Sequence, residues 1–195
     1  MIGSMRLLGL VLGLVLTTFA GAAAAQDASA EGHLPLRKAI AAPQGFGGLC
    51  GRYAWVCAIG TSRPAPGELD RVVAINRRVN HATRQITDQN QYGTDDVWAL
   101  PTARGGDCED IALLKKKRLI EAGVAPGRLL IATVLDLDRN LHSVLVYRGA
   151  RADYVLDNLT GRVRVWRDTG YSFLEIQNPR APQHWAAVLA GGAFG

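Results

Sequence analysis

The chain has 195 residues, a formal net charge of +5 and three cysteines, and it is long enough for one domain with its own core. Its basic residues are spread out except for a run at residues 115–118, which on a helix would point around most of the circumference. A solvated helix surface is therefore favoured over a nucleic-acid patch, and no nucleic-acid-binding motif accompanies the run.

The first 25 residues have the pattern of a secretory signal peptide. Arg6 precedes an apolar run over residues 7–20, and a small-residue stretch ends at Ala25, where cleavage is expected. An uncleaved membrane anchor is the alternative, although the run is short for a spanning helix. Residues 26–42 are Ala-rich and without periodicity, and they are predicted to be a flexible leader. Residues 43–195 are predicted to form the folded domain.

A pair of cysteines lies in the Gly- and Pro-rich stretch that opens this domain. Three cysteines in an exported chain indicate one disulfide and one free thiol. Cys50 and Cys57 are close in sequence with Gly51 to ease a turn, so these two are predicted to pair and Cys108 to stay free. One short strand is expected at residues 53–59.

Two helices are predicted next. Apolar residues at three- and four-residue spacing predict the first from residue 66 or 68 to residue 89. The second is predicted from Cys108 to Ala122, with Gly123 as its cap and Pro126 as a stop signal. Lys115 lies on the apolar side of this helix; either its stem covers the core while its ammonium stays in water, or it has a role that the sequence does not assign.

The hydrophobic period then changes to that of strands. Strands are predicted at residues 129–135, 142–147, 154–157, 162–167 and 172–176. Short turns separate them, so the sheet is expected to be antiparallel. Helices followed by strands predict an α+β fold, with N-terminal helices packed on an antiparallel sheet.

The stretch from Gly105 to Asp110 reads Gly-Gly-Asp-Cys-Glu-Asp. Two glycines break the chain, and Asp107 can cap the helix that follows. Cys108 is thereby placed in the first helical turn, where backbone N–H groups and the helix dipole favour a thiolate. Such a thiolate is a nucleophile if a base and an orienting group lie nearby, whereas a lone buried cysteine is usually a small hydrophobe.

A base and an orienting group are predicted from the hairpin register. If residues 148–151 form the loop, Tyr147 pairs with Ala152 and His142 faces Asp157 on the same side of the sheet. Opposite residues have Cβ atoms about 4.5–5.5 Å apart, close enough for a hydrogen bond. Cys108 would attack a carbonyl carbon, His142 would move the proton, and Asp157 would fix the imidazole.

The carboxylates beside the cysteine oppose this chemistry. Each carboxylate at about 6 Å disfavours a thiolate by roughly 2–3 kcal/mol, and a helix N-terminus returns only about 0.3–2 kcal/mol. A bound Ca²⁺ would neutralise them, and Asp95 and Asp96 from the preceding loop could complete its site. Alternatively, Asp107 only caps the helix, while Glu109 and Asp110 complement its dipole. The residues alone leave both interpretations open.

These motifs together resemble the bacterial transglutaminase-like cysteine proteinases, the family of the periplasmic adhesin-releasing proteases of the LapG type. The resemblance is carried by Gly-Asp-Cys-Glu-Asp at a helix start, the strand with His142, and residues 155–159, and it spans about residues 71–185. It implies a papain/transglutaminase-like fold and calcium dependence through Asp107 and Glu109, with Asp96 a weaker match. By analogy with transglutaminases, the indole N–H of Trp98 would join the Cys108 backbone N–H as an oxyanion donor; otherwise Trp98 is a core residue.

The resemblance implies a periplasmic, calcium-dependent cysteine endopeptidase. Its substrate would be the N-terminal region of a large surface adhesin, cut at a small-residue Ala-Ala-type site to release biofilm cells. An inner-membrane c-di-GMP receptor would sequester the protease. The alternative is acyl transfer to an amine, as in a transglutaminase or amidase; a non-catalytic binding module is disfavoured by the intact Cys108, His142 and Asp157. Ile111, Leu141 and Ser143 depart from the family pattern and would alter the cleft.

Overall fold

The computed structural model describes residues 32–195. The predicted signal peptide and residues 26–31 of the predicted leader lie outside the described residues. Within residues 32–195, no helix has the length and apolar character that a membrane span requires.

Four α-helices precede most of the strands: α1 Leu49–Arg52, α2 Glu68–Ala82, α3 Asp88–Tyr92 and α4 Cys108–Glu121. Short 3₁₀ turns lie at Gln44–Phe46, Ala54–Cys57, Pro126–Arg128, Trp166–Thr169 and Gly192–Phe194. The fourth helix agrees with the sequence prediction to within one residue.

The single helix predicted up to residue 89 is two helices. Thr83 is extended and ends α2, and α3 begins after Thr87, whose side chain accepts a hydrogen bond from the backbone of Asn90. Between the two helices, backbone hydrogen bonds join Arg84 and Ile86 to Gly106. This pairing with the segment before α4 satisfies the backbone that a continuous helix would have used.

The stretch around the cysteine pair also differs from the prediction, because residues 54–57 form a 3₁₀ turn instead of a strand. The disulfide between Cys50 and Cys57 is confirmed, with Cα atoms 5.5 Å apart. An extended chain between them would separate these atoms by about 23 Å, so the disulfide and a strand are incompatible here.

The strands form one seven-stranded antiparallel sheet, in the order β1-β7-β6-β2-β3-β4-β5. Their bounds are β1 Ala39–Ile40, β2 Leu129–Leu135, β3 Leu141–Arg148, β4 Asp153–Leu156, β5 Val163–Val165, β6 Ser172–Asn178 and β7 Ala181–Ala190. The α+β class and the five predicted strands are confirmed. Strand β7 was not predicted, because it carries a proline near its start, where a strand pattern is usually discounted.

Residues 32–42, which were predicted to be part of a flexible leader, pack against the sheet. Leu34 is 2% exposed, and its backbone N–H donates to Asp153 Oδ2 over 2.8 Å. His33 Nδ1 lies 2.9 Å from the other oxygen of this carboxylate, and β1 pairs with β7. The segment therefore closes one edge of the sheet and covers part of its core.

The core lies on both faces of the sheet. The face that carries α4 includes Leu113, Leu145 and Tyr147, and the opposite face includes Val144 and Val146. Side chains of β3 thus alternate between the two clusters, as the pleat requires. His142 belongs by this alternation to the face away from α4, and Ser143 to the face that α4 covers.

The basic run at residues 115–118, predicted to be a solvated surface, is half buried. Lys115 and Lys116 are at most 1% exposed, which also excludes a wet ammonium for Lys115. Lys116 Nζ donates to Val56 O over 2.7 Å and to Gln177 Oε1 over 2.9 Å, and Lys115 Nζ donates to Leu156 O over 3.4 Å. Burial lowers the pKa of each amine to about 7, and these acceptors make the burial possible.

Candidate active site

Cys108 is the first residue of α4, as predicted, and Asp107 occupies the position before it, although the Asp107 side chain makes no capping hydrogen bond. Two glycines bring the chain to this point along a path that side chains would block. A Cβ on Gly105, whose φ is +120°, would overlap the carbonyl oxygen of Arg84, and a Cβ on Gly106 would lie 2.7 Å from the side chain of Asp110. The glycine pair thus fixes where the thiol is presented.

The thiol is held on two sides. Cys108 Sγ donates to Glu109 Oε2 over 3.0 Å and accepts from the backbone N–H of Ser143 over 3.4 Å. Burial, followed by the charge of Glu109 and the hydrogen bond to it, raises the pKa of the Cys108 thiol well above its ordinary value. The acidic flank acts in the predicted direction, but desolvation is the larger cause.

His142 and Asp157 meet as expected, although through a different register. The strands pair Arg148 with Asp153 and Val146 with Val155, so the four-residue loop is one residue further along than predicted. This moves the pairing by two residues, which keeps every side chain on its predicted face. His142 Nε2 consequently still lies 2.9 Å from Asp157 Oδ1, as a diagonal neighbour.

Asp157 receives further hydrogen bonds from Leu159 N at 2.9 Å and from the hydroxyl of Tyr171 at 2.7 Å. Burial would raise the pKa of Asp157, but these donors and His142 outweigh it and hold that pKa below its usual range. An ionised carboxylate only accepts, so the proton between the two residues belongs to His142 Nε2. The tautomer assigned in this way leaves Nδ1 as the basic nitrogen.

Cys108 and His142 line one cleft of about 720 Å³. Its floor includes a lateral row of neighbouring residues on β3, β2, β6 and β7, in the order Ser143, Thr133, Glu175 and Ala187. Three of these four side chains are small. A β-bulge between β2 and β6 also turns Leu174 into the cleft. The floor beside the nucleophile therefore combines three small side chains with Glu175, and Leu174 lies next to them.

A group of carboxylates lies behind the thiol. Ligand oxygens of Asp88, Asp107 and Glu109 all lie within 4.8 Å of one another. One oxygen each of Asp88, Asp107 and Asp110 is buried without a hydrogen-bond partner among the described residues. Burial and then the charges of Glu109 and Asp110 raise the pKa of Asp107 to about 8. Unpaired hard oxygens with crowded negative charge fit a cation such as Ca²⁺.

The structure brings Asp107 and Glu109 into this group but leaves Asp96 outside it. Each oxygen of Asp96 accepts one hydrogen bond elsewhere: Oδ2 from Gly45 N over 2.6 Å, and Oδ1 from the indole of Trp98 over 2.7 Å. Asp88 takes the third place from the first turn of α3. Sequence reasoning placed residue 88 inside a longer helix; the capping residue Thr87 before it was the signal that could have revealed a separate helix start.

Trp98 lines the cleft, but its indole N–H donates to Asp96 and is therefore already used by another acceptor in this structure. The ring is 2% exposed and packs edge-to-face with Phe46 and Trp185. In this arrangement Trp98 is a core residue, the alternative that the sequence left open. The backbone N–H of Cys108, at the start of α4, remains the candidate oxyanion donor from the sequence.

Comparison with solved structures finds the same fold in LapG of Legionella pneumophila. The calcium-bound form has a TM-score of 0.54 and 22% sequence identity, and covers 67% of this chain and 74% of its own. The EGTA-treated form has a TM-score of 0.53 and 24% identity, covering 62% and 67%. A third LapG structure has a TM-score of 0.53 and 25% identity, covering 62% and 69%.

Comparison with curated proteins finds no match. The family model described as bacterial transglutaminase-like cysteine proteinase matches residues 36–192, which include the helix start at Cys108 and the whole sheet. Together with the shared fold, the hydrogen bond between His142 and Asp157 and the cleft that His142 shares with Cys108, this match assigns the chain to the bacterial transglutaminase-like cysteine proteinases.

Proposed function

We propose that the protein is a periplasmic, calcium-dependent cysteine endopeptidase that cuts the N-terminal region of a large surface adhesin and so controls biofilm release. The observation that carries the endopeptidase assignment is the hydrogen bond of 2.9 Å between His142 and Asp157 in a cleft that also exposes Cys108. Family membership adds the reaction class, and the small-residue cut site is carried over from the resemblance to the LapG-type proteases.

The reaction follows from the roles of three side chains. The Cys108 thiol turns from Glu109 to His142 Nδ1 and gives up its proton, and Sγ attacks the carbonyl carbon of the scissile peptide. The backbone N–H of Cys108 stabilises the oxyanion. The imidazolium, held by Asp157, then protonates the leaving amine, and water activated by Nδ1 hydrolyses the thioester.

Calcium is proposed on the donor set and on the calcium-bound state of the LapG structure. Asp88, Asp107 and Glu109 would hold the ion, and their crowding and unpaired oxygens are the supporting features. When bound there, the cation supplies positive charge that offsets the carboxylates beside the thiol. Asp96, whose oxygens are engaged elsewhere, is left out of this proposed ligand set.

The proposed location and partners of the protein rest on its sequence and on its family. The signal-peptide pattern in residues 1–25 supports export, and family membership supports an adhesin substrate and sequestration by an inner-membrane c-di-GMP receptor. No nucleic-acid partner is proposed.

The test is incubation of the mature protein with purified N-terminal fragments of the host's own large adhesins, in Ca²⁺ and in EGTA. Cleavage is expected in Ca²⁺ only, at a small-residue site located by mass spectrometry, and not with Cys108→Ala. Adding a labelled primary amine separates hydrolysis from transfer: a labelled product end would favour the transglutaminase alternative. Intact fragments in Ca²⁺ would refute the adhesin assignment.

A further inference from the structure

Asp157 has a second buried side-chain partner besides His142. The Tyr171 hydroxyl donates to Asp157 Oδ2 over 2.7 Å, and the residue is only 6% exposed. Its ring stands edge-on to the imidazole of His142, with ring centroids 6.2 Å apart and an interplanar angle of 89°. Tyr171 therefore contacts both the carboxylate and the base without reaching the nucleophile.

The three donors to Asp157 come from three parts of the chain. His142 on β3 and the backbone of Leu159 both bond to Oδ1, and Tyr171, just before β6, bonds to Oδ2. The side-chain torsion of an aspartate carboxylate is intrinsically broad, so its plane is set by its partners. Because Oδ1 has both of the other donors, the Tyr171 hydroxyl is the contact that fixes the second oxygen.

The hydroxyl also has a defined role as a donor. Burial and then the hydrogen bond to Asp157 raise the pKa of the Tyr171 phenol above its ordinary value, so the phenol keeps its proton throughout the physiological range. An ionised carboxylate has no proton to return. The direction of this hydrogen bond is consequently fixed from Tyr171 to Asp157.

We propose that Tyr171 is a positioning residue of the active site. It holds the plane of the Asp157 carboxylate, which keeps the proton on His142 Nε2 and leaves Nδ1 free to serve Cys108. This inference rests on the proposed hydrolysis by Cys108, His142 and Asp157. It adds a fourth side chain on which the geometry of the other three depends.

The experiment is Tyr171→Phe in the full mature chain with Ca²⁺, which removes one oxygen and keeps the ring. Because a hydrogen bond to a charged group is lost, kcat should fall about 10- to 100-fold with KM unchanged. In ¹⁵N-labelled protein, the hydrogen-bonded Nε2 proton of His142 should lose its downfield shift and exchange faster with water.

Tyr147→Phe is the matched control. Tyr147 is also a buried tyrosine, and its hydroxyl donates to the carboxylate of Glu68 over 2.8 Å, but it lies five residues along β3 from His142, about 17 Å away. Tyr147→Phe loses this hydrogen bond to a carboxylate and also the one that Arg128 Nη2 donates to the hydroxyl over 2.6 Å, and it should still leave the His142 proton signal and kcat unchanged. A general loss of stability would affect both variants alike.

An unchanged kcat and an unchanged His142 signal in folded Tyr171→Phe would overturn the inference. If that variant fails to fold, the wild-type protein provides the test. Its Tyr171 hydroxyl proton should exchange slowly with water and show a nuclear Overhauser effect to the His142 ring. A rapidly exchanging hydroxyl proton would contradict the proposal. If the wild-type protein cleaves no peptide, the proposed function fails. The effect of Tyr171→Phe on the His142 proton signal still tests whether Tyr171 positions the Asp157 carboxylate.

Discussion

At the scale of single residues, loss of the thiol, of the imidazole and of the carboxylate should lower the rate of peptide hydrolysis to different extents. Cys108→Ala and His142→Ala remove the nucleophile and the base, so peptide hydrolysis should become undetectable. Asp157→Asn keeps the shape and an oxygen that can accept from His142, so its kcat should fall less than in Cys108→Ala. Initial rates with a peptide substrate check the order, and near-wild-type turnover by His142→Ala would contradict it.

A second prediction concerns the calcium affinity of the carboxylates beside Cys108. Asp88→Asn removes a charge from the group that fits a cation, so Ca²⁺ should bind at least about tenfold more weakly by isothermal titration calorimetry. Asp96→Asn is the comparison, because the oxygens of Asp96 are engaged by Gly45 and Trp98. Its Ca²⁺ affinity should fall much less. The opposite order would place Asp96 in the site.

The sequence predicted those site residues whose position follows from local structure. Cys108 could be placed by its own helix start, and the sharing of a face by His142 and Asp157 required only strand alternation, which a shift of two residues does not change. Asp88 and Tyr171 join the site from segments distant in the chain. The capping residue Thr87 could have indicated the helix start at Asp88, but which side chains Asp88 and Tyr171 meet depends on tertiary packing, for which periodicity and capping give no signal.

At the scale of elements, helix α4 departs most from its sequence pattern. Pattern reasoning assigns charged residues to solvent, yet Lys116 is fully buried beneath the disulfide-linked segment and near β6. A lysine can enter a core when carbonyl oxygens accept its protons, and such acceptors come from other elements. The pairing of β3 with β4 also differs from the prediction. Loops over residues 148–151 and 149–152 are both compatible with the sequence, and the contacts of the two strands with the rest of the sheet decide between them.

Burial of Lys116 predicts a pH-dependent stability. Its folded pKa of about 7 lies below the unfolded value, so from pH 7 to 10 the unfolded chain binds more protons and the free energy of unfolding rises with pH. Lys116→Met lacks this gain. Relative to that variant, the wild type should gain about 4 kcal/mol between pH 7 and pH 10, measured by urea unfolding at each pH.

Lys117→Met is the control for this comparison, because Lys117 is partly exposed and pairs with Glu121 at 3.7 Å. Its stability should run parallel to that of the wild type over the same pH range, since the titration of Lys115 is common to all three proteins. A constant difference between wild type and Lys116→Met would show that Lys116 keeps an ordinary pKa.

At the scale of the whole molecule, the segment before residue 43 belongs to the fold. Leu34 is buried on the sheet while Leu36, two residues on, is 40% exposed. Leu34→Ala should lower the free energy of unfolding by about 2–3 kcal/mol, and Leu36→Ala should change it by less than about 0.5 kcal/mol. Urea unfolding of both variants tests this, and equal midpoints would mean that the segment is only loosely attached.

The place of β3 within the sheet has a consequence for what can be cut. Four strands lie on one side of β3 and two on the other. Next to His142, β3 is paired with β2 through Val134, whereas its ladder with β4 begins only at Leu145, and the cleft floor crosses the strands. On the β2 side, a peptide at the nucleophile therefore cannot join the sheet as an extra strand, and on the β4 side only the few residues before Leu145 leave an edge, so no long ladder of backbone hydrogen bonds can form there. The chain that enters must already be extended and free of its own structure. Folded modules would therefore be spared whatever their sequence, and cleavage would be confined to unfolded linkers.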